Sequence, residues 1–273
     1  EDLFTERWQR ADGPPLELRT ANRPEVPGRG SLPIGGSTVA LSRTDPQPDG
    51  NTIREVEHLF EDAIAAADHL IYIETQYLSS RRMREALRQR MRASGRPRPE
   101  IVIIVNEQAE ELKEELAVGL RQARNLEVLR DTASRTGCAL GCYFSLCDGA
   151  HETFRATYIH SKLMIVDDRF LTVGSANLTN RSMGLDSELH VGWEHEGEDG
   201  RLVDTIRNVR VSLLAEHAGL SEADAAGLHA IEGLVARINN EAPGLLFSQS
   251  CPAGPRSRAD EMSPVPAVMP RGG

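Results

Sequence analysis

Apolar positions along the chain recur with two different periods. From Thr52 to Leu70, Ile53, Val56, Phe60, Ala63, Ile64 and Ala67 fall at helical spacing, and Thr52 with Glu55 matches a capping box. "LIYIET" follows as a short unbroken apolar run, which marks a strand covered on both faces. "SRRMREALRQRMRAS" reads as a basic helix that "GRPRP" terminates. "IVIIV" reads as a second buried strand, and "EQAEELKEELAVGLRQA" as an acidic amphipathic helix. Further on, "ELHVGWE" is a strand, and "GRLVDTIRNVRVSLLAEHA" is a helix with Leu202, Ile206, Val209 and Leu213 on its inner stripe. Strands alternating with helices of this length predict an α/β fold, a mixed β-sheet flanked by helices with some parallel pairing.

The ends carry less pattern. "LFTERWQRA" reads as a helix end with Leu3, Phe4 and Trp8 on one side. Pro- and Gly-rich sequence from Gly13 to Gly36 reads as a linker, "STVALSRT" as a strand, and "DPQPDGN" as a turn. From about Ser248 the chain is rich in Pro, Ser, Arg and Gly, the composition of a disordered tail. The expected organisation is residues 1–36 as helix end and linker, 37–245 as one lobe, and 246–273 as tail.

Charge narrows the partners. The 41 acidic and 31 basic side chains give a net charge of −10, which argues against broad nucleic-acid binding but leaves room for a local basic pocket. No apolar run reaches the length of about 18 residues that would make a membrane span. No targeting segment is visible, and the chain begins with Glu1 rather than Met. Cys138, Cys142 and Cys147 cluster near His151, with Cys251 apart. Their spacing is not that of paired zinc ligands, so they read as small apolar residues or at most one disulfide, and no metal is expected.

The densest chemistry lies in "YIHSKLMIVDDRFLTVGSANLTNRSMGLDSEL", Tyr158 to Leu189. Read as a strand, "ATYIHSKLMIVD" puts His160 and Lys162 on one face. "RFLTVGSAN" is a second strand. A two-residue loop at Asp168-Arg169, or a four-residue loop from Asp167 to Phe170, sets Lys162 opposite Ser175 and His160 opposite Asn177; a three-residue loop would slip this by one. Imidazole, ammonium, hydroxyl and amide on one patch suit a phosphate: Lys162 brings charge, Ser175 and Asn177 bring neutral donors, and Gly174 allows close backbone approach. His160 can act as nucleophile or general acid/base. Its other ring nitrogen wants a carboxylate, for which Glu188 is the first candidate and Asp186 the reserve. Asp167 sits far from His160 and is expected to cap the turn or pair internally.

His160, Lys162, Asp167, Gly174, Ser175 and Asn177 together resemble the HKD signature of the phospholipase D superfamily. "IYIETQYL", with Gln76, resembles the "IYIENQ"-type segment upstream of the second motif in two-motif members, with Thr75 where Asn is common. "ERWQRADG" near the N-terminus and "NRSMGLDSEL" resemble stretches that follow the first and second motifs. The resemblance implies an α/β sandwich lobe and a metal-free phosphohistidine mechanism without cofactor. In that mechanism one motif's histidine attacks phosphorus, the other moves protons, and paired lysines and asparagines carry the phosphate charge.

One motif is present here, so a second lobe is expected, either a missing N-terminal half or a homodimer partner. As the C-terminal half, His160 would be the acid/base; His190, following Glu188 at strand spacing, could assist weakly. The expected activity is hydrolysis or transfer at phospholipid headgroup esters on a membrane surface, with His160, Lys162, Asn177 and Glu188 catalytic and Lys162, Ser175 and Asn177 holding phosphate. A superfamily nuclease is the alternative, favoured if Arg81, Arg82, Arg84 and Arg88 line a basic groove. A non-catalytic, partner-binding half is a third reading, against which the intact His160, Lys162 and Asn177 argue.

Overall fold

Both faces of the central sheet are covered by helices, which is why its inner strands are unbroken apolar runs. The computed structural model describes residues 2–15, 34, 38–47, 49–106, 113–148, 154–196, 200–221, 223–241 and 246–248. The chain divides into two units, Glu1–Pro33 and Ile34–Gly273. In the first, α1 (Asp2–Arg10) stacks Phe4 on Trp8 with ring centroids 6.1 Å apart, and Trp8 Nε1 donates to the Pro14 carbonyl at 2.8 Å.

The second unit runs β1 (Ala40–Pro46), β2 (Thr52–Arg54), α2 (Glu55–Ala66), β3 (Leu70–Glu74), α3 (Arg81–Arg92), β4 (Glu100–Ile104), α4 (Lys113–Thr136), β5 (Leu140–Asp148) and β6 (Phe154–Ala156). It continues through β7 (Leu163–Val166), β8 (Phe170–Gly174), β9 (Glu188–Glu194), α5 (Arg201–Ala218), a 3-10 turn (Asp224–His229), α6 (Leu234–Glu241) and β10 (Leu246–Ser248). The strands join in one mixed sheet in the order β10-β5-β4-β3-β7-β8-β9-β1-β2, with β6 on β5. β3, β4 and β5 are parallel and linked by α3 and α4; the remaining pairs are antiparallel.

Alternation along β3 divides the core. Ile71 and Ile73 face α2, α3 and α4, among Val56, Phe60, Ile64, Met83, Leu87 and Leu126. Leu70 and Tyr72 face α5 and α6, among Ile206, Leu214, Leu234 and Ile238.

Several local expectations are corrected. Thr52 does not cap α2: it pairs with Pro46 in the β1–β2 ladder, the helix starts at Glu55, and Glu55 Oε2 accepts from the Arg43 amide at 3.0 Å. Ser80 caps α3, accepting from Met83 N at 3.3 Å. α4 continues past the acidic stretch to Thr136 because Leu126, Leu129 and Ala133 extend its apolar stripe. The inner face of α5 is rotated from the apolar stripe: Ile206, Arg210, Val211, Leu214 and Ala215 are buried, while Leu202, Val209 and Leu213 are only partly so. Leu246–Ser248, read as tail, pair with β5. The linker after Pro15, apart from Ile34, and the tail after Ser248 lie outside the described residues, as do the side chains of Cys147 and Cys251 and all of His151. Cys138 and Cys142 are buried free thiols, and burial pushes Cys142 up to about 11, so it is an inert core residue.

The β7–β8 hairpin corrects the register. Asp167, Asp168 and Arg169 form a three-residue loop, and Leu163 pairs with Val173 and Val166 with Phe170. Lys162 therefore lies opposite Gly174, whose amide donates to its carbonyl at 3.1 Å. The slip has a cause. Asp167 and Asp168 both take left-handed backbone angles (φ 52° and 53°), which aspartate tolerates better than most residues, and both carboxylates are locked. Asp167 accepts from the amides of Asp68, His69 and Leu70, each at 2.7 Å. Asp168 takes both arms of Arg210 at 2.7 and 2.8 Å. Asp167 is thus an internal cap at the end of β7 remote from His160.

Candidate active site

The β3 exit (Glu74 to Gln76), the β7 entry (His160 to Lys162), the β8 exit (Gly174 to Asn177) and the β9 entry (Glu188) all lie at one end of the sheet, because β7 and β9 run opposite to β3 and β8. The strand read across His160 and Lys162 begins only at Leu163. Without the strand alternation the two side chains diverge: His160 is exposed and Lys162 is 7 % exposed.

Lys162 Nζ donates to the His160 carbonyl at 2.6 Å and reaches Gln76 Oε1 at 3.4 Å. Asn177 Nδ2 approaches the same oxygen at 3.5 Å. The other end of the Gln76 amide donates to the Tyr158 hydroxyl. Thr75 donates to the Tyr77 carbonyl at 3.0 Å, lies 3.4 Å from Asn177 Oδ1, and accepts from the Leu178 amide at 3.3 Å. One tripeptide, Glu74-Thr75-Gln76, therefore holds members of both motif strands. Burial sets the Lys162 ammonium below the ordinary lysine value, and the nearby Glu188 carboxylate works against that shift.

Ser175 donates to Glu188 Oε2 and accepts from the Leu189 amide at 3.1 Å. The Glu188 pairing expected for His160 is thus not formed; the serine hydroxyl occupies the carboxylate instead. Asp186, the reserve, is held by Arg181 at 2.6 and 3.1 Å. Among the described residues the His160 ring makes no hydrogen bond, and it stacks on Tyr158 with planes 15° apart and centroids 6.2 Å apart. Gly174 is required by packing: a Cβ there would stand 2.2 Å from the Leu189 carbonyl oxygen and 2.5 Å from the His190 ring.

His190 is not a free helper. It is fully buried, edge-on to Phe60, and its Nε2 accepts the Ala176 amide at 3.2 Å. Thr172, whose hydroxyl donates to the Val191 carbonyl at 3.0 Å, accepts at 3.1 Å from Nδ1, so the ring is locked neutral with its proton on Nδ1. Burial pushes its pKa down to about 4. A depressed histidine pKa means the unfolded chain binds the proton first, so this residue's share of stability is complete above about 6.5 and is lost as pH falls towards about 4. Urea midpoints measured across that range should fall, and fall less in His190→Gln.

Of the four arginines the nuclease alternative named, three on α3 have side-chain partners, while Arg81 is exposed. Arg82 pairs with Glu57 at 3.0 Å, Arg84 donates to Asn125 at 3.1 Å, and Arg88 pairs with Glu85 at 2.8 Å. Arg81 and Arg82 remain exposed, while Arg84 and Arg88 are partly withdrawn. Among the described residues no His, Cys, Asp and Glu side chains cluster as metal ligands, and no helix is long and apolar enough to cross a membrane. The sequence reading passed over Tyr158, Ser161 and the buried Glu74; a carboxylate closing an apolar strand was the signal for the last.

This mixed sheet gathers the motif residues at one end, and comparison with known families places the lobe. The family model described as "Cardiolipin synthase, PLD-like domain" matches residues 60–211, more than half of the chain. The chain belongs to the phospholipase D-like superfamily. It is 29 % identical over 227 residues to phospholipase D A of Dictyostelium discoideum, covering 69 % of this chain and 18 % of that protein. It is 37 % identical over 86 residues to phospholipase D alpha 4 of Arabidopsis thaliana, covering 28 % and 11 %. The chain thus spans less than a fifth of the length of these curated relatives. Among solved structures, Nuc from Salmonella typhimurium superposes with a TM-score of 0.40 at 18 % identity, covering 64 % of this chain and 91 % of that one. Phosphatidylserine synthase of Haemophilus influenzae gives 0.48 at 16 %, covering 75 % and 45 %.

Proposed function

We propose that this chain supplies one of the two HKD motifs of a phosphodiesterase that cleaves phospholipid headgroup esters, by hydrolysis or by transfer to another alcohol. The observation that carries the reading is the convergence of the buried Lys162 ammonium and the Asn177 amide on Gln76, at the sheet end where His160 stands exposed. A phosphate taking the place of the Gln76 oxygen would receive a full charge and a neutral donor together, in a setting where charge is poorly screened. Ser175, once released from Glu188, adds a third donor and frees the carboxylate to orient His160.

The reaction requires two histidines. The partner lobe's imidazole bonds to phosphorus as the headgroup oxygen leaves, and His160 gives that oxygen its proton. His160 then takes a proton from water or an acceptor alcohol, whose oxygen bonds to phosphorus as the P–N bond breaks. Leu41, Val173 and Leu189, exposed on adjacent strands beside Ser175, form an apolar face that a second lobe would cover. That lobe is either another copy or another part of a longer chain. The net charge of −10 favours lipid over nucleic acid.

The test is to determine the mass of the purified chain in solution and assay phosphodiester cleavage alone and with a second HKD lobe added. Turnover is expected only in assemblies with two motifs, and it should survive excess chelator because Lys162 and Asn177 supply the phosphate's countercharge and donors. Full His160-dependent activity in a strict monomer, or loss on chelation with rescue by one divalent ion, overturns the reading.

A further inference from the structure

We propose that Glu74 is a positioning residue for this reaction: its carboxylate, held from the other side by His217, clasps Ser161 and thereby fixes His160 and Lys162 on either side of it. The proposal deepens the phosphodiesterase reading, and its kinetic arm rests on that reading.

Glu74 closes β3, every residue of which is buried, and is itself only 2 % exposed. A carboxylate in that position is tolerated only if it is fully bonded. It accepts from Ser161 Oγ at 2.5 Å and from the Tyr72 hydroxyl, and it lies 3.2 Å from His217 Nε2 near the C-terminus of α5. Burial works to neutralise it. The hydrogen bond and charge of His217, followed by the Ser161 and Tyr72 hydroxyls, outweigh burial and set its pKa below the ordinary value. An ionised carboxylate only accepts, so the Ser161 hydroxyl has one orientation.

The clasp matters because the motif tripeptide lies outside any regular strand. Its neighbours are tied through their backbone amides: Thr157 N to the Ser145 carbonyl at 2.8 Å, and Ile159 N to the Asn106 side-chain Oδ1 at 2.6 Å. Downstream, Gly174 N holds the Lys162 carbonyl. Between Ile159 and Lys162 the Lys162 ammonium holds the His160 carbonyl from within the tripeptide, and the Ser161 side chain ties it to the sheet, on the face that α5 covers. Lys162 is drawn the opposite way, towards Gln76 and into the lining formed by Phe60, Ile73 and Ala176. The tripeptide is therefore held from both faces, and releasing one side lets the other shift it. A displacement of about 1 Å at reacting groups can cost about 100-fold in rate.

The experiment compares Glu74→Gln, Ser161→Ala and the double variant. Amide hydrogen exchange is read on the purified full chain, and kcat and KM are read on the two-motif assembly with bis(p-nitrophenyl) phosphate as probe. Each single variant should raise exchange at the Ile159 and Gly174 amides, whose bonds bracket the tripeptide, about tenfold or more and leave Leu163–Val166 protected. Each should also lower kcat about 10- to 100-fold with little change in KM. The double variant should be no worse than the poorer single one, because both substitutions open the same clasp. Ser161→Ala opens the clasp while leaving the Glu74 carboxylate with His217 and Tyr72 as partners, so it decides the matter if Glu74→Gln fails to fold. Unchanged exchange at the Ile159 and Gly174 amides in folded Ser161→Ala overturns the proposal, as do unchanged kcat in an active assembly and additive losses in the double variant. If the wild-type assembly cleaves nothing, the proposed function fails while the exchange arm still judges the clasp.

Discussion

His160→Ala in the two-motif assembly lowers kcat on an alkyl phosphodiester by at least the ~10²–10⁴-fold typical of lost general acid–base catalysis. The loss should be chemical rather than structural. His160 is exposed, and among the described residues its ring makes no hydrogen bond, so its removal forfeits only the stacking on Tyr158. The melting temperature should stay within about 2 °C, the scale of a surface substitution. Because His160 is assigned the proton-moving role, the loss should depend on the leaving group. A p-nitrophenolate departs without a proton, so the variant should still form the phosphoenzyme on the other lobe's histidine and then stall at hydrolysis. Protein quenched in alkaline denaturant, which spares the acid-labile P–N bond, would carry one ester-substituted phosphoryl group per assembly. Loss of the phosphoenzyme in His160→Ala, with its retention when the other lobe's histidine is replaced, would reverse the two roles. Full activity in His160→Ala would remove His160 from the chemistry altogether.

The layered fold was legible in the sequence because its strands are short apolar runs between amphipathic helices, a pattern set by burial alone. The motif residues were legible as a set, since six identities at fixed gaps carry more information than any one of them. Their geometry was less accessible. The strand read across His160 and Lys162 rested on period-two alternation, yet residues 157–162 are held by Asn106, Ser145 and Glu74, partners about 12 to 87 positions distant. The hairpin register depended on whether Asp167 and Asp168 take left-handed angles, and that was decided by the Asp68–Leu70 amides and by Arg210. His190 looked like a possible helper from its spacing to Glu188; only the Ala176 amide and the Thr172 hydroxyl reveal it as a neutral core residue. Local pattern thus gave the layers, while polar bonds between distant segments set the site.

Asp168→Asn should destabilise the chain by about 3–5 kcal/mol, a large share of the ~5–15 kcal/mol that folded proteins hold in total. Asp168 is 1 % exposed and Arg210 is fully buried. The guanidinium gives both Nε and Nη2 to the carboxylate, Nη1 to the Leu228 carbonyl at 2.8 Å, and Nη2 also to the His229 carbonyl at 3.1 Å. It ties the hairpin turn to α5 and to the 3-10 turn at once. Asparagine keeps the shape and tolerates the left-handed angle, so the substitution isolates the charge: the buried Arg210 guanidinium is left without its counterion, while Arg207, 3.4 Å from the same carboxylate, keeps Asp204 at 2.8 Å. Adding Arg210→Met to Asp168→Asn should recover part of the loss, because removing both charges costs less than stranding one. Urea unfolding of the two single variants and the double variant measures this directly. A loss under about 1 kcal/mol in Asp168→Asn, or a double variant less stable than either single one, would show that the pair does not hold the turn. Because the same turn sets Lys162 opposite Gly174, Asp168→Asn should also lower turnover in whatever fraction remains folded, with the hydrogen-exchange protection of β7 and β8 falling in step.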